Sequence, residues 1–338
     1  MDVSVRTETW AFRHPFRITG YVWTDQELVV AEITDGHHSG RGEALGVYYK
    51  DETAASMSAQ IIAAAQGAST VAELSKVTAS MPPGGAKNAL DCALWELRAR
   101  QDAVPVWRLA QLPQAPHPVQ TTCTVGAADP EEMAARARDY ATATALKLKL
   151  TGDGRDAERV RAVRAERPDV WLAVDGNQGL TRASLETLLP TFVECNVQLV
   201  EQPLPLSRDA DLDGLNSPIP IAADESVQTL SDIETLVGRF DTINIKLDKC
   251  GGLTEALRMQ ARARELGLGV MVGCMGGTSL SMAPAFIVAQ RCDITDLDGP
   301  LLLASDRTPS AIYRDGRIDC PENVWGFSPS LTARDVER

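Results

Sequence analysis

Residues 145–150 read Ala-Leu-Lys-Leu-Lys-Leu, and this alternation is the pattern from which the fold is predicted. Side chains of a β-strand point to opposite faces with a period of two, so Lys147 and Lys149 share one face and the leucines share the other. Taken alone, the run is equally compatible with an edge strand whose lysines face solvent. The runs that come later in the chain distinguish the two interpretations.

Three later strand-like runs end in a carboxylate, and the next one carries a lysine. They are residues 171–175 (ending at Asp175), 197–201 (Glu201), 219–224 (Asp224) and 242–247 (with Lys246). A base, three acids and a second base therefore stand near the ends of consecutive strands. This order indicates an active site at the carboxyl end of a parallel sheet.

Eight apolar runs from residue 119 onward repeat at a nearly constant interval. They start 26, 26, 26, 22, 23, 28 and 22 residues apart, about one strand plus one helix, and helix-forming stretches lie between them. The runs are residues 119–125, 145–150, 171–175, 197–201, 219–224, 242–247, 270–274 and 292–298. The pattern predicts an α/β protein with a (β/α)8-type, modified TIM barrel. An open doubly wound sheet is the alternative, but it explains less well why the charged residues are spread over consecutive strands.

The first part of the chain follows a different pattern. It predicts antiparallel strands at 3–12 and 23–34 and helices near 52–66, 70–80 and 86–103. A proline-rich stretch at 112–118 marks a boundary. The expected divisions are an α+β capping domain (1–115), a catalytic barrel (116–300) and a C-terminal segment (301–338) that packs back on the capping domain.

Composition argues against several other functions. The formal net charge of −13 leaves no basic excess to neutralise phosphates, so nucleic-acid binding is not expected. No apolar run approaches the roughly 20 residues of a membrane span, and the N-terminus lacks the apolar core of a signal peptide. The seven cysteines form no CxxC pair, as expected of reduced residues in a cytoplasmic protein. A homo-oligomer remains open.

At the rim of such a barrel, Asp175, Glu201 and Asp224 would converge. Three carboxylates repel one another unless a cation lies between them, and an all-oxygen set favours Mg²⁺. The alternative is that each acid caps the helix after its strand. Three acids on successive strands make the metal site the better interpretation.

The two lysine-bearing strands would be the second and sixth of eight, which lie opposite each other. Lys149 and Lys246 would therefore flank a substrate held at strands three to five. A buried lysine near a second ammonium, here Lys147, is expected to have a lowered pKa, which suits a general base. Two opposed bases and a divalent cation suit removal and return of a proton α to a carboxylate, as in racemisation or epimerisation. Alternatively, the lysines only form salt bridges.

These residues stand in motifs that resemble the muconate-lactonizing-enzyme subgroup of the enolase superfamily, over essentially the whole chain. The motifs are Lys147-x-Lys149, Asp175-Gly-Asn, Glu201-Gln-Pro, Asp224-Glu-Ser and Lys246-Leu-Asp-Lys-Cys-Gly-Gly. The resemblance implies Mg²⁺ bound by the three acids and an acid/base pair formed by Lys149 and Lys246. It also implies electrostatic assistance from Lys147.

Within the subgroup, Asp296-Leu-Asp298 resembles the Asp-x-Asp motif of dipeptide epimerases, and Thr124 matches a position that lines the same site. The two acids would receive the α-ammonium of a dipeptide whose carboxylate lies on Mg²⁺; alternatively, they form only a turn. The resemblance implies epimerisation of the C-terminal residue, with Ala-Glu as the default substrate. The loop arginine of Ala-Glu epimerases is not matched within 16–25, where only Arg17 occurs, so side-chain preference is open.

Two other functions fit part of the pattern. An N-acylamino-acid racemase, or a dehydratase or cycloisomerase of the same subgroup, would use the same bases and metal but gives no reason for Asp296 and Asp298. A noncatalytic metal-dependent peptide binder would not need two opposed bases. We therefore expect a Mg²⁺-dependent isomerase that acts on a small dipeptide.

Overall fold

The computed structural model describes residues 1–327, so residues 328–338 of the predicted C-terminal segment lie outside the described part. An antiparallel sheet begins the chain, and its strands pair in the order β1-β2-β3. These strands are β1 (Asp2–Ile18), β2 (Tyr21–Thr34) and β3 (Ser39–Leu45), and they are followed by a 3-10 turn (Tyr48–Lys50) and by α1 (Ala54–Gln66), α2 (Val71–Ser80), α3 (Gly85–Gln101) and α4 (Val106–Leu109). The sequence predicts the first two strands and the three longer helices.

Strand β3 is an element that the sequence does not predict. It reads Ser-Gly-Arg-Gly-Glu-Ala-Leu and lacks the apolar alternation of a half-buried strand. Its glycines permit close packing on α3, because a Cβ at Gly42 would lie 2.0 Å from the carbonyl oxygen of Ala89. The backbone of β3 can thus lie close to that of α3, because the glycines have no side chains that would prevent the contact.

Eight parallel strands then form one sheet with helices between them, which confirms the predicted fold class. After a short strand β4 (Val119–Gln120), the eight are β5 (Cys123–Val125), β6 (Ala145–Lys149), β7 (Trp171–Asp175), β8 (Val197–Glu201), β9 (Ile221–Ala223), β10 (Thr242–Lys246), β11 (Gly269–Gly273) and β12 (Ile294–Asp296). The helices are α5 (Pro130–Asp139), α6 (Asp156–Glu166), α7 (Arg182–Glu194), α8 (Ile233–Leu236), α9 (Leu247–Cys250), α10 (Leu253–Glu265), α11 (Ser279–Ala289) and α12 (Gly299–Leu302), with 3-10 turns at Leu206–Leu212 and Leu230–Asp232.

The alternation in β6 works as predicted. Leu146 and Leu148 belong to the apolar core between the strands and the surrounding helices, so Lys147 and Lys149 point into the barrel. The lower part of the barrel interior is filled by a separate apolar cluster, formed by Ala173, Leu199, Ala222 and Met271. The charged residues at the carboxyl ends of the strands therefore lie above a layer of apolar side chains.

Strand order runs from β5 to β12, and these two edge strands are joined mainly by side chains. We call this junction the seam. The backbone N–H of Thr122 donates to the carbonyl of Thr295 at 3.0 Å. The hydroxyl of Thr122 donates to Asp296, and the backbone N–H of Thr124 donates to Asp298. The two acids of the Asp-x-Asp motif thus close the barrel.

The predicted strand 119–125 is split in two. Its first half, β4, leaves the barrel and pairs with the hairpin of β13 (Ile312–Arg314) and β14 (Arg317–Asp319) in the order β13-β14-β4. The rest of the described C-terminal segment contacts the capping domain. Arg307 forms salt bridges with Glu8 and Glu43, and the indole N–H of Trp325 donates to the carbonyl of Arg41 at 2.9 Å. Within residues 1–327, no helix combines the length and apolarity needed to cross a bilayer.

Candidate active site

A cavity of about 400 Å³ lies between the carboxyl ends of the barrel strands and the capping domain. The structure brings the nine predicted site residues together at this cavity or directly beneath it, each no more than 7 % exposed. They are Thr124, Lys147, Lys149, Asp175, Glu201, Asp224, Lys246, Asp296 and Asp298. Burial of so many ionisable groups is costly unless they pair with one another or with a ligand.

Lys149 and Lys246 occupy opposite sides of the barrel, because three strands separate β6 from β10 in either direction around it. The ammonium of Lys149 lies 2.6 Å from Asp175 Oδ2, and that of Lys246 lies 2.8 Å from Asp224 Oδ2. Gly273 leaves room for the second lysine, since a Cβ there would lie 3.2 Å from Cε of Lys246. Each lysine is thus held beside a carboxylate and aimed at the same space.

Lys147 lies at the centre of the acids. Its ammonium is 3.2 Å from Glu201 Oε2 and 3.8 Å from Asp175 Oδ2, and it also contacts Asp296. Burial alone would lower the pKa of Lys147, but the charges of these carboxylates outweigh it and raise the pKa well above the ordinary value. Lys147 is therefore a fixed positive charge.

Lys246 shows the same balance. Burial lowers its pKa, but the charge of Asp224 prevails and raises the pKa well above the ordinary value. The expectation of a lowered pKa at the bases is wrong for Lys246, because the neighbouring carboxylates act more strongly than the ammonium of Lys147. A cation bound to those carboxylates would oppose this effect.

Negative groups outnumber positive ones in this buried set. Six carboxylates (Asp175, Glu201, Asp224, Glu225, Asp296 and Asp298) face four ammonium groups (Lys147, Lys149, Lys246 and Lys249). Burial and the charge of Asp175 raise the pKa of Glu201 to about 7, and burial and the charge of Asp224 raise the pKa of Glu225 to about 8. With every group ionised, the set would carry an excess of two negative charges, which the raised pKa values show to be unfavourable and which one divalent cation would neutralise.

The chemistry of the donors also fits such a cation. Asp175 and Glu201 are opposite each other in the β7–β8 ladder, and Asp224 follows β9, the next strand. Carboxylate oxygens are the ligands that Mg²⁺ prefers. In residues 1–327 no three acidic, histidine or cysteine side chains are arranged as a metal site, and each of the three acids lies beside a lysine. The three acids fit the ion by the chemistry of their oxygens and by their places at the ends of three neighbouring strands.

Asp296 and Asp298 have different surroundings. Asp296 is engaged by Lys147 and by the hydroxyl of Thr122. Asp298 lies beyond the end of β12, not on the strand as predicted, and within residues 1–327 no cation lies at salt-bridge distance from it. Burial and the charge of Asp296 raise the pKa of Asp298 to about 6. Of the two acids, Asp298 is the one available to a ligand.

Sequence reasoning missed two charged residues of this set, Glu225 in the quoted Asp224 motif and Lys249 in the quoted Lys246 motif. The ammonium of Lys249 donates to Asp224 Oδ1 at 2.5 Å and to the carbonyl of Asn244 at 3.0 Å. The signal available in the sequence was that Lys249 lies only three residues after Lys246. Lys246 and Lys249 thus pair with different oxygens of one carboxylate, that of Asp224.

The capping domain covers the cavity with aromatic rings. Trp23 lies 6.4 Å from Phe16 and 5.2 Å from Tyr48 between ring centroids, and Tyr48 lies 5.1 Å from Tyr49. The hydroxyl of Tyr49 accepts a hydrogen bond from Gln228 at 3.0 Å, which ties this cover to the barrel. The two basic residues near these loops, at positions 17 and 50, are exposed and do not line the cavity.

Comparison with known proteins agrees with this architecture. Residues 1–110 match the model of the mandelate racemase/muconate lactonizing enzyme N-terminal domain. Residues 131–329 match the enolase C-terminal domain-like model. The first match covers β1 to α4, and the second begins within α5, after the first strand of the barrel sheet.

Individual relatives cover nearly the whole chain. An L-Ala-D/L-Glu epimerase of Escherichia coli is 37% identical over 94% of this chain and 98% of its own length. An N-acetyl-D-glutamate racemase of Pseudoalteromonas is 35% identical over 92% and 99%. A solved enolase family member from Agrobacterium tumefaciens, with homology to dipeptide epimerases and with bound sodium and L-Ala-L-Glu, is 41% identical, with a TM-score of 0.91 over 96% of this chain and 99% of that one. This chain therefore belongs to the mandelate racemase/muconate lactonizing enzyme family of the enolase superfamily.

Proposed function

We propose that the protein is a Mg²⁺-dependent dipeptide epimerase that inverts the α-carbon of the C-terminal residue. The observation that carries the proposal is the placement of Lys149 and Lys246 on opposite sides of one cavity, with Asp298 on a third side. Two bases that face each other can act on the two faces of a single carbon. A binding protein would have no use for that arrangement.

Asp175, Glu201 and Asp224 are the residues that would hold Mg²⁺. When bound there, the ion supplies positive charge to the substrate carboxylate while the α-proton is absent. The excess of negative charge in the buried set supports this assignment. Lys147 adds a second positive charge beside the same acids.

The proton transfers belong to the two lysines. The lysine on one face of the substrate, in its neutral form, accepts the α-proton at Nζ. The lysine on the other face, in its ammonium form, returns a proton to the opposite side of the carbon. The roles of Lys149 and Lys246 are exchanged when the other stereoisomer is the substrate. Asp298 receives the N-terminal ammonium, and the aromatic cover keeps water from the reacting carbon.

Exchange in D₂O tests the two-base assignment. Lys149→Ala and Lys246→Ala should each stop epimerisation. Each variant should still exchange the α-proton of the one stereoisomer whose proton faces the remaining lysine. Mass spectrometry detects the gain of one deuteron, and chiral chromatography detects inversion. Variants that exchange both stereoisomers equally would show that the assignment is wrong.

An N-acylamino-acid racemase is the second candidate, and the Pseudoalteromonas relative is the observation in its favour. It would need the same lysines and metal ligands. It gives no role to Asp298, because an acylated nitrogen carries no positive charge. Substrates with free and acylated nitrogen therefore distinguish the two functions.

Other expectations remain proposals. We propose a cytoplasmic location, which is supported by seven free cysteines in the described chain. The division into capping domain, barrel and C-terminal segment at residues 115 and 300 is proposed on the sequence pattern. A homo-oligomer stays a prediction.

A further inference from the structure

Gln26 is a buried polar side chain that lines the cavity from the capping domain. It is 5 % exposed, and within residues 1–327 neither Oε1 nor Nε2 has a hydrogen-bond partner. Buried amides are nearly always satisfied, so an amide that lacks partners in a ligand cavity indicates a group that the ligand satisfies. We propose that Gln26 selects the side chain of the substrate's C-terminal residue and favours a neutral carboxamide.

The surroundings of Gln26 are shaped to hold an amide. It alternates with Leu28 and Val30 on the buried face of β2, where an apolar residue would be the ordinary choice. The loop after β11 makes room for it, because a Cβ at Gly276 would lie 2.5 Å from Gln26 Oε1. The polar group is therefore accommodated at a position where apolar burial would cost less.

The position of Gln26 matches one substituent of the reacting carbon, an argument that rests on the proposed function. With the substrate carboxylate at β7–β9 and its nitrogen towards β12, the lysines of β6 and β10 lie above and below the plane of the deprotonated carbon. The remaining substituent in that plane is the side chain. The barrel floor is filled with apolar groups, so this side chain points to the capping domain and Gln26.

A carboxamide is the group that satisfies both ends of Gln26. It can accept from Nε2 and donate to Oε1 at the same time. A carboxylate can only accept, which leaves Oε1 facing a second negative oxygen. The capping domain offers it no compensating cation, because its charged lining residues are acidic, including Asp25, Glu27 and Glu52. We therefore expect dipeptides ending in glutamine or asparagine to be preferred over Ala-Glu.

Three substrates of similar size test this preference. For the wild type, kcat/KM for Ala-Gln should exceed that for Ala-Glu by about tenfold or more, because one unpaired buried group has roughly that effect. Gln26→Leu should lower the value for Ala-Gln by about tenfold or more and leave Ala-Leu within about threefold. As a matched control, Gln260→Leu changes a buried glutamine of α10 outside the cavity and should leave the ratios unchanged.

Two outcomes would overturn the inference. The first is a wild type that prefers Ala-Glu or treats the two alike. The second is an equal effect of Gln26→Leu on all three substrates, which would mean that Gln26 acts only on structure. If Gln26→Leu fails to fold by circular dichroism, Gln26→Glu keeps the volume and should impair Ala-Gln relative to Ala-Leu, and Ala-Glu at least as strongly.

The inference can be separated from the proposed function. If no dipeptide exchanges its α-proton, the epimerase assignment fails, and calorimetric titration in Mg²⁺ buffer then tests Gln26 alone. Tighter binding of Ala-Gln than of Ala-Glu, lost in Gln26→Leu, supports the inference. Equal affinities, or no binding of either, contradict it.

Discussion

Replacing Asp298 with asparagine should selectively impair dipeptides with a free N-terminus. Asparagine has the same shape, and its Oδ1 can still accept from the N–H of Thr124, so the change removes a charge and little else. Asp296 cannot take over, because Lys147 and Thr122 already engage it. A hydrogen bond to a charged group contributes ~1.5–3 kcal/mol, so kcat/KM should fall about 10- to 150-fold.

The pH dependence gives this prediction a second signature. The pKa of Asp298 is raised to about 6, by burial first and by the charge of Asp296 second. The carboxylate therefore takes up a proton as the pH falls through about 6, and the wild type should lose affinity for free dipeptides there. The Asp298→Asn variant has no such group and should lack this loss.

The assay compares kcat/KM for a free dipeptide and its N-acetyl derivative across this pH range. The acetylated substrate should be poor for the wild type and unaffected by Asp298→Asn. Asp293→Asn, which alters an ion pair with Arg264 on the surface, is the matched control and should change neither. Equal losses for both substrates would refute the role of Asp298. Equal turnover of both by the wild type would favour the acylamino-acid racemase.

Two further predictions concern the metal and the capping domain. A chelator should abolish α-proton exchange, and Mg²⁺ should restore it. Mg²⁺ should also raise the Tm of the wild type but not that of Glu201→Gln. Full activity without metal would contradict the proposed mechanism. Glu96 is fully buried and bonds to Arg41, Arg100 and the N–H of Gly326, so Glu96→Gln should lower the free energy of unfolding by about 1–3 kcal/mol. Urea denaturation measures this loss, and an unchanged midpoint would show that the network contributes nothing.

The barrel could be predicted because its sequence signal is local. A strand buried on both faces must alternate its charged and apolar residues in register with the barrel interior, as residues 145–150 do. Strand β3 gave no such signal, since Gly42 is required by the approach of α3, a contact that exists only in three dimensions. The sequence did not predict the break between β4 and β5 for the same reason. Thr121 and Thr122 form hydrogen bonds across the seam, and these contacts exist only in the folded chain.

The features of the candidate site likewise divide into those that the sequence predicts and those that depend on contacts in the folded chain. The acids and lysines could be located because strand ends of a parallel barrel converge, so position along the chain gives position in space. The raised pKa of Lys246 and the difference between Asp296 and Asp298 depend on which neighbour each side chain meets. Gln26 depends most on the folded structure, because what distinguishes it is that its amide has no hydrogen-bond partner among the described residues.

The seam links the Asp-x-Asp motif to the order in which the protein folds. Asp296 and Asp298 bond to residues 174 positions earlier in the chain, and because closing so long a loop costs conformational entropy, we expect these contacts to form late in folding. A partly folded chain would therefore carry its lysines and acids without a formed ammonium pocket. On this view the proposed dipeptide pocket is completed only when the barrel closes, and a ligand that bound there would hold the two edge strands of the barrel together.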